Sequence, residues 1–199
     1  STYTGFDFTQ TWIMPDSPDY PFPQLRSVVM AGFSENTTDY AGGRGTPFDP
    51  FRIGHADQLD RVRFNLDAFY VLQNDIDLLA GSQDWQPIGD ASQPFRGCFD
   101  GAGHKIERLK ITQTVDNAQY FGLFGFSSGI IGNLQLEEID FQLQAPTKFV
   151  GGLAGRNAGG LIWNCTVSGQ IRAENNSMIL GGCAGASDGK IDNCYNQVS

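Results

Sequence analysis

The sequence predicts an all-β fold: a right-handed parallel β-helix, or solenoid, with a short capping α-helix. Three observations carry that prediction. A glycine-punctuated unit recurs with a period of about thirty residues in the C-terminal half. The composition, with 25 Gly and 15 Phe among 199 residues, suits strands and tight turns better than packed helices. The runs between the glycines carry apolar residues at alternate positions and are too short for stable helices.

The first predicted elements lie between Asp49 and Leu78. Residues 56–64 place Leu59 and Val62 on one helical face, which predicts a short helix. Such a helix would cover the open end of a solenoid, where unpaired backbone and core would otherwise face water. A strand follows over Phe69–Leu78. Beyond Trp85, the core candidates are Phe95, Phe99, Ile106, Leu109 and Ile111, with a turn at Asp100-Gly101-Ala102-Gly103 between two strands.

Residues 120–199 hold the repeats. Tyr120–Leu134 (YFGLFGFSSGIIGNL), Val150–Cys165 (VGGLAGRNAGGLIWNC) and Leu180–Cys194 (LGGCAGASDGKIDNC) are one unit written three times. Gly122, Gly152 and Gly182 are spaced by 30 residues, as are Gly125, Gly155 and Gly185. An extra residue at the pair Gly159 and Gly160 accounts for the small jitter further on. One such unit is enough chain for a full coil whose like residues stack on the next.

Stacking predicts ladders. Ile131, Ile162 and Ile191 form one apolar ladder, Leu123, Leu153 and Cys183 a second, and Leu134, Cys165 and Cys194 a third. Asn133, Asn164 and Asn193 form a polar ladder at a bend, where an amide can bond backbone or its stacked neighbour. Periodic recurrence marks these asparagines as structural. Stacked Cys165 and Cys194 would stand about 4.8 Å apart, which suits two apolar core thiols and also leaves a disulfide open.

These motifs resemble a known family. The order is a helix, then N-D-I-D-L, W-x-P-I-G, P-F-x-G-x-F-D-G-x-G-H-x-I-x-x-L-x-I and G-L-F-G, then repeated G-G-x-x-G-x-N-x-G-x-I-x-N-C. It is similar to the GLUG-motif repeat proteins over residues 45–199. The resemblance implies a β-helix, an extracellular or cell-surface setting, and a structural or adhesive role in exported bacterial surface proteins and adhesins. Related segments precede the catalytic part of some bacterial immunoglobulin-A proteases. Cys98 and Cys183 depart from the residues usual for the family, which bears only on local packing.

Residues 1–27, with Trp12 and the ending Tyr20-Pro21 to Leu25, resemble the end of a preceding module of this kind. A Gly- and Pro-containing connector is expected over 28–48 and the β-helix module over 49–199. The chain thus reads as a segment of a tandem array, or as a module whose N-terminal strand folds back on it.

The formal net charge of −9 opposes a nucleic-acid partner, which needs clustered Lys and Arg. No apolar run approaches the roughly 20 residues of a membrane span, so no membrane insertion is expected. The four cysteines lack paired C-x-x-C spacing, and His55 and His104 are far apart, so neither a metal centre nor a cofactor is expected.

Parallel β-helices also carry polysaccharide lyases and hydrolases, whose sites need converging carboxylates. Candidates are Glu137, Glu138 and Asp140, where alternation puts Glu138 and Asp140 on one side of the strand and Glu137 on the other. Asp75 and Asp77 are expected to fix a turn or shield an edge, with calcium binding the alternative. His104 is expected to make a structural hydrogen bond, and His55 to cap the helix or face solvent. No G-x-S-x-G elbow is present.

The expected function is therefore a non-catalytic stalk or binding surface of an extracellular protein, and not an enzyme. Polysaccharide processing, or service as an accessory β-helix of a secreted protease, is the alternative. The expected partners are neighbouring repeats or modules of the parent chain, a glycan or protein ligand met by exposed aromatics (Trp12, Tyr40, Trp85, Trp163, Tyr195), and further copies through coil ends.

Overall fold

The computed structural model describes residues 12–13, 24–25, 39–78, 84–113, 120–143, 149–173 and 179–199. The chain divides into two compact units, 1–34 and 35–199. In the first, β1 (Trp12–Ile13) pairs antiparallel with β2 (Gln24–Leu25), Trp12 opposite Leu25. The rest of the expected 1–27 module end lies outside the described residues. The described part of the expected connector, 39–48, belongs to the second unit. There Ala41 N–H donates to Arg52 O, Arg52 N–H donates to Gly42 O, and the Tyr40 ring stacks on Phe51 at 4.3 Å. This stretch is therefore hydrogen-bonded to a strand and is no free linker.

The second unit winds through short parallel strands. The first coils contain β3 (Phe51–Ile53), α1 (Ala56–Asp60), β4 (Phe69–Leu72), β5 (Ile76–Asp77), β6 (Cys98–Asp100), β7 (Lys105–Glu107) and β8 (Lys110–Gln113). Then come β9 (Tyr120–Phe121), β10 (Phe124–Ser127), β11 (Ile130–Gly132), β12 (Gln135–Leu143), β13 (Phe149–Gly151), β14 (Ala154–Asn157), β15 (Leu161–Trp163) and β16 (Thr166–Ala173). The last are β17 (Ile179–Gly181), β18 (Ala184–Ser187), β19 (Lys190–Asp192) and β20 (Tyr195–Val198).

Each coil contributes strands to successive faces. One face is the six-stranded sheet β3-β4-β6-β11-β15-β19; the next is β5-β7-β12-β16-β20, with β8 also on β12. Two three-stranded sheets, β9-β13-β17 and β10-β14-β18, complete the circuit. All of these pairings are parallel, with a register shift between β12 and β16 at Leu136/Ile139, which makes the unit a parallel β-helix.

The interior is filled by alternate residues of these strands. Phe51, Tyr70, Phe95, Phe99 and Phe124 are fully buried and form a chain of ring contacts along the coils, with centroids 4.7 to 6.5 Å apart. Ile106, Leu109 and Ile111 are buried beside them. Each such side chain contributes about 1.5–3 kcal/mol by leaving water.

The expected helix over 56–64 is α1 continued by a 3-10 turn over Arg61–Phe64, with Leu59 and Val62 fully buried. It follows β3, the terminal strand of its sheet. The tighter second half fits a sequence with no side-chain cap at either start: neither His55 nor Asp60 makes a side-chain cap bond. The Asp100–Gly103 turn is a corner, since β6 and β7 lie in different sheets and do not pair with each other.

The extra residue of the middle repeat is Gly159, at φ +76, with open space where a Cβ would stand. Gly129, Gly160 and Gly189 stack at the same corner without it. A Cβ on Gly160 would lie 2.4 Å from Gly129 O, and one on Gly189 2.2 Å from Gly160 O. Only glycine allows the coils to close to strand spacing there.

Candidate binding face and inter-coil ladders

The asparagine ladder is a hydrogen-bonded spine. Asn133, Asn164 and Asn193 have φ of 52°, 51° and 48°, a left-handed conformation that Asn tolerates better than most residues. Asn193 Nδ2 donates to Asn164 Oδ1 at 3.0 Å, and Asn164 Nδ2 to Asn133 Oδ1 at 2.8 Å. Asn133 Nδ2 donates to Asp100 Oδ1 at 3.0 Å. Each amide thus donates towards the N-terminal coil, and the row starts on a carboxylate that can only accept. The next corner back holds Gly101, and the side chain of the preceding residue takes over its role.

The apolar ladders are in register. Ile131 pairs with Ile162 and Ile162 with Ile191; the first two are fully buried and Ile191 is exposed. Leu123 and Leu153 are buried, linked coil to coil by Leu123 N–H to Gly152 O and Leu153 N–H to Cys183 O. Leu134 and Cys165 are fully buried and Cys194 half-buried.

Several titratable groups of the outer faces link stacked coils. Asp75 Oδ1 meets His104 Nδ1 at 3.0 Å and accepts Lys105 N–H at 3.2 Å, which holds its carboxyl below the usual range. Asp77 pairs with Arg108 and Asp67 with Arg96. Lys105 Nζ lies 2.7 Å from Glu107 and 3.5 Å from Glu137. Asp188 takes Arg156 at 3.0 Å and Gly159 N–H at 2.9 Å. Most of these links run from one coil to its neighbour. His55 is exposed and its side chain makes no cap bond; its carbonyl accepts from Gln58 and Leu59 N–H.

The strand β12 departs from simple alternation. Glu138 has φ 53° at an irregularity between Leu136 and Ile139, so Glu137 and Glu138 both leave the core instead of facing opposite sides. Arg108 (φ 59°) and Gly169 (φ 135°) mark the same kink on the coils before and after. Asp140 accepts Gln142 Nε2 at 3.0 Å through Oδ2, while its Oδ1 is buried without a partner. These three carboxylates are not brought together with Asp75 and Asp77 into a metal-binding cluster; no such cluster occurs among the described residues.

Among the candidate contact aromatics, Trp85 and Tyr40 are buried, and Trp85 Nε1 donates to Leu123 O at 3.0 Å. Trp12 lies in β1, and its side chain is outside the described residues. Tyr195 is exposed.

Trp163 is 39% exposed and lies over Gly132 of the preceding coil: a Cβ on Gly132 would stand 2.2 to 2.7 Å from three atoms of the indole five-membered ring. The outward positions of the same sheet run Phe69, Cys98, Ile130 and Leu161 in register. Ile130 is 41% exposed and the others half-buried. An apolar strip therefore follows the outer face of the six-stranded sheet. Periodicity identified the Ile131–Ile162–Ile191 row of these strands without saying which way it points; the outward row is legible only once the register is known.

Winding, register and stacked corners define a β-solenoid of short repeats. Within it lies a repeat motif of known type: the family model described as "The GLUG motif" matches residues 150–172. A relative from Evansella cellulosilytica, provisionally named a Gly-rich membrane protein, is 38% identical over 128 residues, covering 60% of this chain and 15% of the relative. Halomucin from Haloquadratum walsbyi is 30% identical over 168 residues, covering 77% of this chain and 2% of that protein. The chain thus spans a small part of either relative. A crystal structure of a protein from Bacteroides ovatus, provisionally named an immunoglobulin A1 protease, superposes with a TM-score of 0.64 at 24% identity. It covers 81% of this chain and 51% of that one, and shares its fold. No helix among the described residues is long and apolar enough to cross a membrane.

Proposed function

We propose that this segment is a non-catalytic stalk and adhesive module of an exported, cell-surface protein, with the outer face around Trp163 as its contact surface. The observation that carries the reading is the apolar strip Phe69, Cys98, Ile130, Leu161 with Trp163, set on a rigid parallel sheet. One face of the indole is backed by Gly132, so its presentation costs little side-chain ordering when a partner arrives. On the same register row Asp100 accepts from Asn133 of the next coil and Asp192 pairs with Lys190 of its own strand, which suits a surface that must hold its shape. The naming of one relative as a membrane protein supports the setting.

The test is incubation of the chain with a panel of neutral and acidic polysaccharides, reading both retention of protein and the length of the polymer. Retention by at least one polymer at unchanged length, reduced at least tenfold by Trp163→Ala, is the expected result. Shortening of a polymer replaces this reading with polysaccharide processing, and retention indifferent to Trp163→Ala removes the strip from the contact.

A further inference from the structure

The outer face of the six-stranded sheet carries two rows in register, two residues apart on each strand. One is the apolar strip, which Lys190 continues past Leu161. The other runs Val71, Asp100, Gly132, Trp163 and Asp192. Gly132 gives that second row its form. The atoms nearest a Cβ there are Nε1, Cδ1 and Cε2 of Trp163, so the indole leans back over Gly132 in the room a side chain would fill. One ring face is set against the backbone, and the exposed part of the ring is turned outward beside Ile130.

The charged groups at the two ends of this platform are already matched. Asp100 Oδ1 accepts Ala102 N–H at 2.8 Å and Asn133 Nδ2 at 3.0 Å. At the other end Lys190 Nζ donates to Asp192 Oδ2 at 2.8 Å, and both side chains are exposed. An ionic partner of either sign must break that pair, and a polyanion also meets the chain's net charge of −9. A neutral polyhydroxyl partner breaks nothing. Each hydroxyl both donates and accepts, so it adds to the ammonium and the carboxylate while they stay paired. Asp100 and Asp192 stand three strand spacings apart, about 14 Å, with the indole between them. A pyranose ring fits this arrangement, because its C–H face can lie on the indole while the hydroxyls on its rim point at the polar groups beyond.

We propose that the Trp163 platform is a binding site for a neutral polysaccharide, with one sugar ring stacked on the outward face of the indole and hydroxyls of the polymer bonded to Lys190, Asp192 and Asp100. The assignment rests on the contact-surface reading above and adds the chemistry of the ligand. Gly132 is a positioning residue for this site: it touches no ligand, and its missing side chain is what lets the indole lie flat. A methyl group there meets only the ring of Trp163 at short range, a side chain that can swing away, so Gly132→Ala lifts the platform without disturbing the strands.

The test is affinity electrophoresis of the full chain through gels holding dextran, mannan or galactan, and through gels holding alginate, heparin or polylysine. Retardation by at least one of the three neutral polymers is expected, weakened about tenfold by Trp163→Ala. The joint variant Lys190→Ala, Asp192→Ala removes two exposed side chains and should weaken it about threefold or more. Gly132→Ala, which keeps the indole in the chain but off its seat, should weaken it severalfold, and circular dichroism checks that all three variants keep the fold. Retardation by alginate, heparin or polylysine alone, lost in Trp163→Ala, overturns the neutral-sugar assignment and leaves the contact surface standing. Neutral-polymer retardation indifferent to Trp163→Ala overturns both. Retardation by none of the six polymers overturns the sugar assignment, and a Gly132→Ala variant that binds like the wild type overturns the positioning role.

Discussion

The Asn164 side-chain amide donates to Asn133 Oδ1 at 2.8 Å across one whole coil, from a backbone held at φ 51°. The residue therefore does two jobs: it turns the corner and it bonds the coils. Asn164→Ala should cost about 2–3 kcal/mol, combining lost hydrogen bonds of about 1 kcal/mol each with the left-handed backbone penalty of about 1–2 kcal/mol. Asn164→Gly should recover the backbone part and lose only the ladder. Urea unfolding of the three proteins checks this, and equal midpoints for the Ala and Gly variants would show that the corner conformation carries no weight.

Gly159 and Gly160 are adjacent in sequence but constrained differently. Gly160→Ala sets a Cβ 2.4 Å from Gly129 O, a backbone atom that cannot yield without moving a coil. Gly159→Ala meets open space and bears only the strain of φ +76. The first substitution should destabilise by more than 3 kcal/mol or prevent folding, and the second by about 1 kcal/mol. Thermal melts of the pair suffice, and a milder effect at Gly160 would contradict the close approach of the coils.

The thirty-residue spacing made the solenoid readable, because stacking forces like residues into like positions and leaves a period in the chain. The same signal exposed the Ile131–Ile162–Ile191 and Asn133–Asn164–Asn193 rows. Where the period is interrupted, so is legibility. The kink at Glu138 sets Glu137 and Glu138 on the same side where alternation had put them on opposite sides, since one left-handed residue shifts the alternation of the positions after it. For Tyr40 and Trp85 the sequence left packing and display both open, because they lie outside the repeats; their burial depends on contacts with Phe51 and Leu123 that no local pattern encodes.

Acid should weaken the carboxylate contacts, one between coils and two local, in a defined window. The Asp75 carboxyl is lowered from 3.8, first by the Lys105 N–H and then by His104. Ser92 and Gln93 lower Asp90, and Lys190 lowers Asp192. A group depressed in the folded state contributes stability above its unfolded pKa and loses it as pH falls through the folded value. Urea midpoints should thus be nearly flat on this account from neutral pH to about 5 and drop below 3.8. The double variant Asp75→Asn, Asp90→Asn should show a shallower acid limb, and an unchanged limb would assign acid sensitivity to other groups.

The interior aromatic row offers the sharpest test of where the stability resides. Phe99 is fully buried, its ring 5.6 Å from Phe124 in an edge contact and 6.5 Å from Tyr70. Parallel neighbours on both sides prevent the coil from collapsing into the space a smaller residue would leave, so Phe99→Ala should cost about 3–5 kcal/mol. Phe64 ends the helical segment at 71% exposure, and Phe64→Ala should fall within about 0.5 kcal/mol. Because each coil touches only its neighbours, the loss at Phe99 should also be local. Native-state amide exchange should accelerate first in β4, β6 and β10, around the missing ring, and later in β16 and β20. Uniform acceleration across all coils would mean that the solenoid unfolds as one unit, with coupling longer in range than nearest-neighbour stacking supplies.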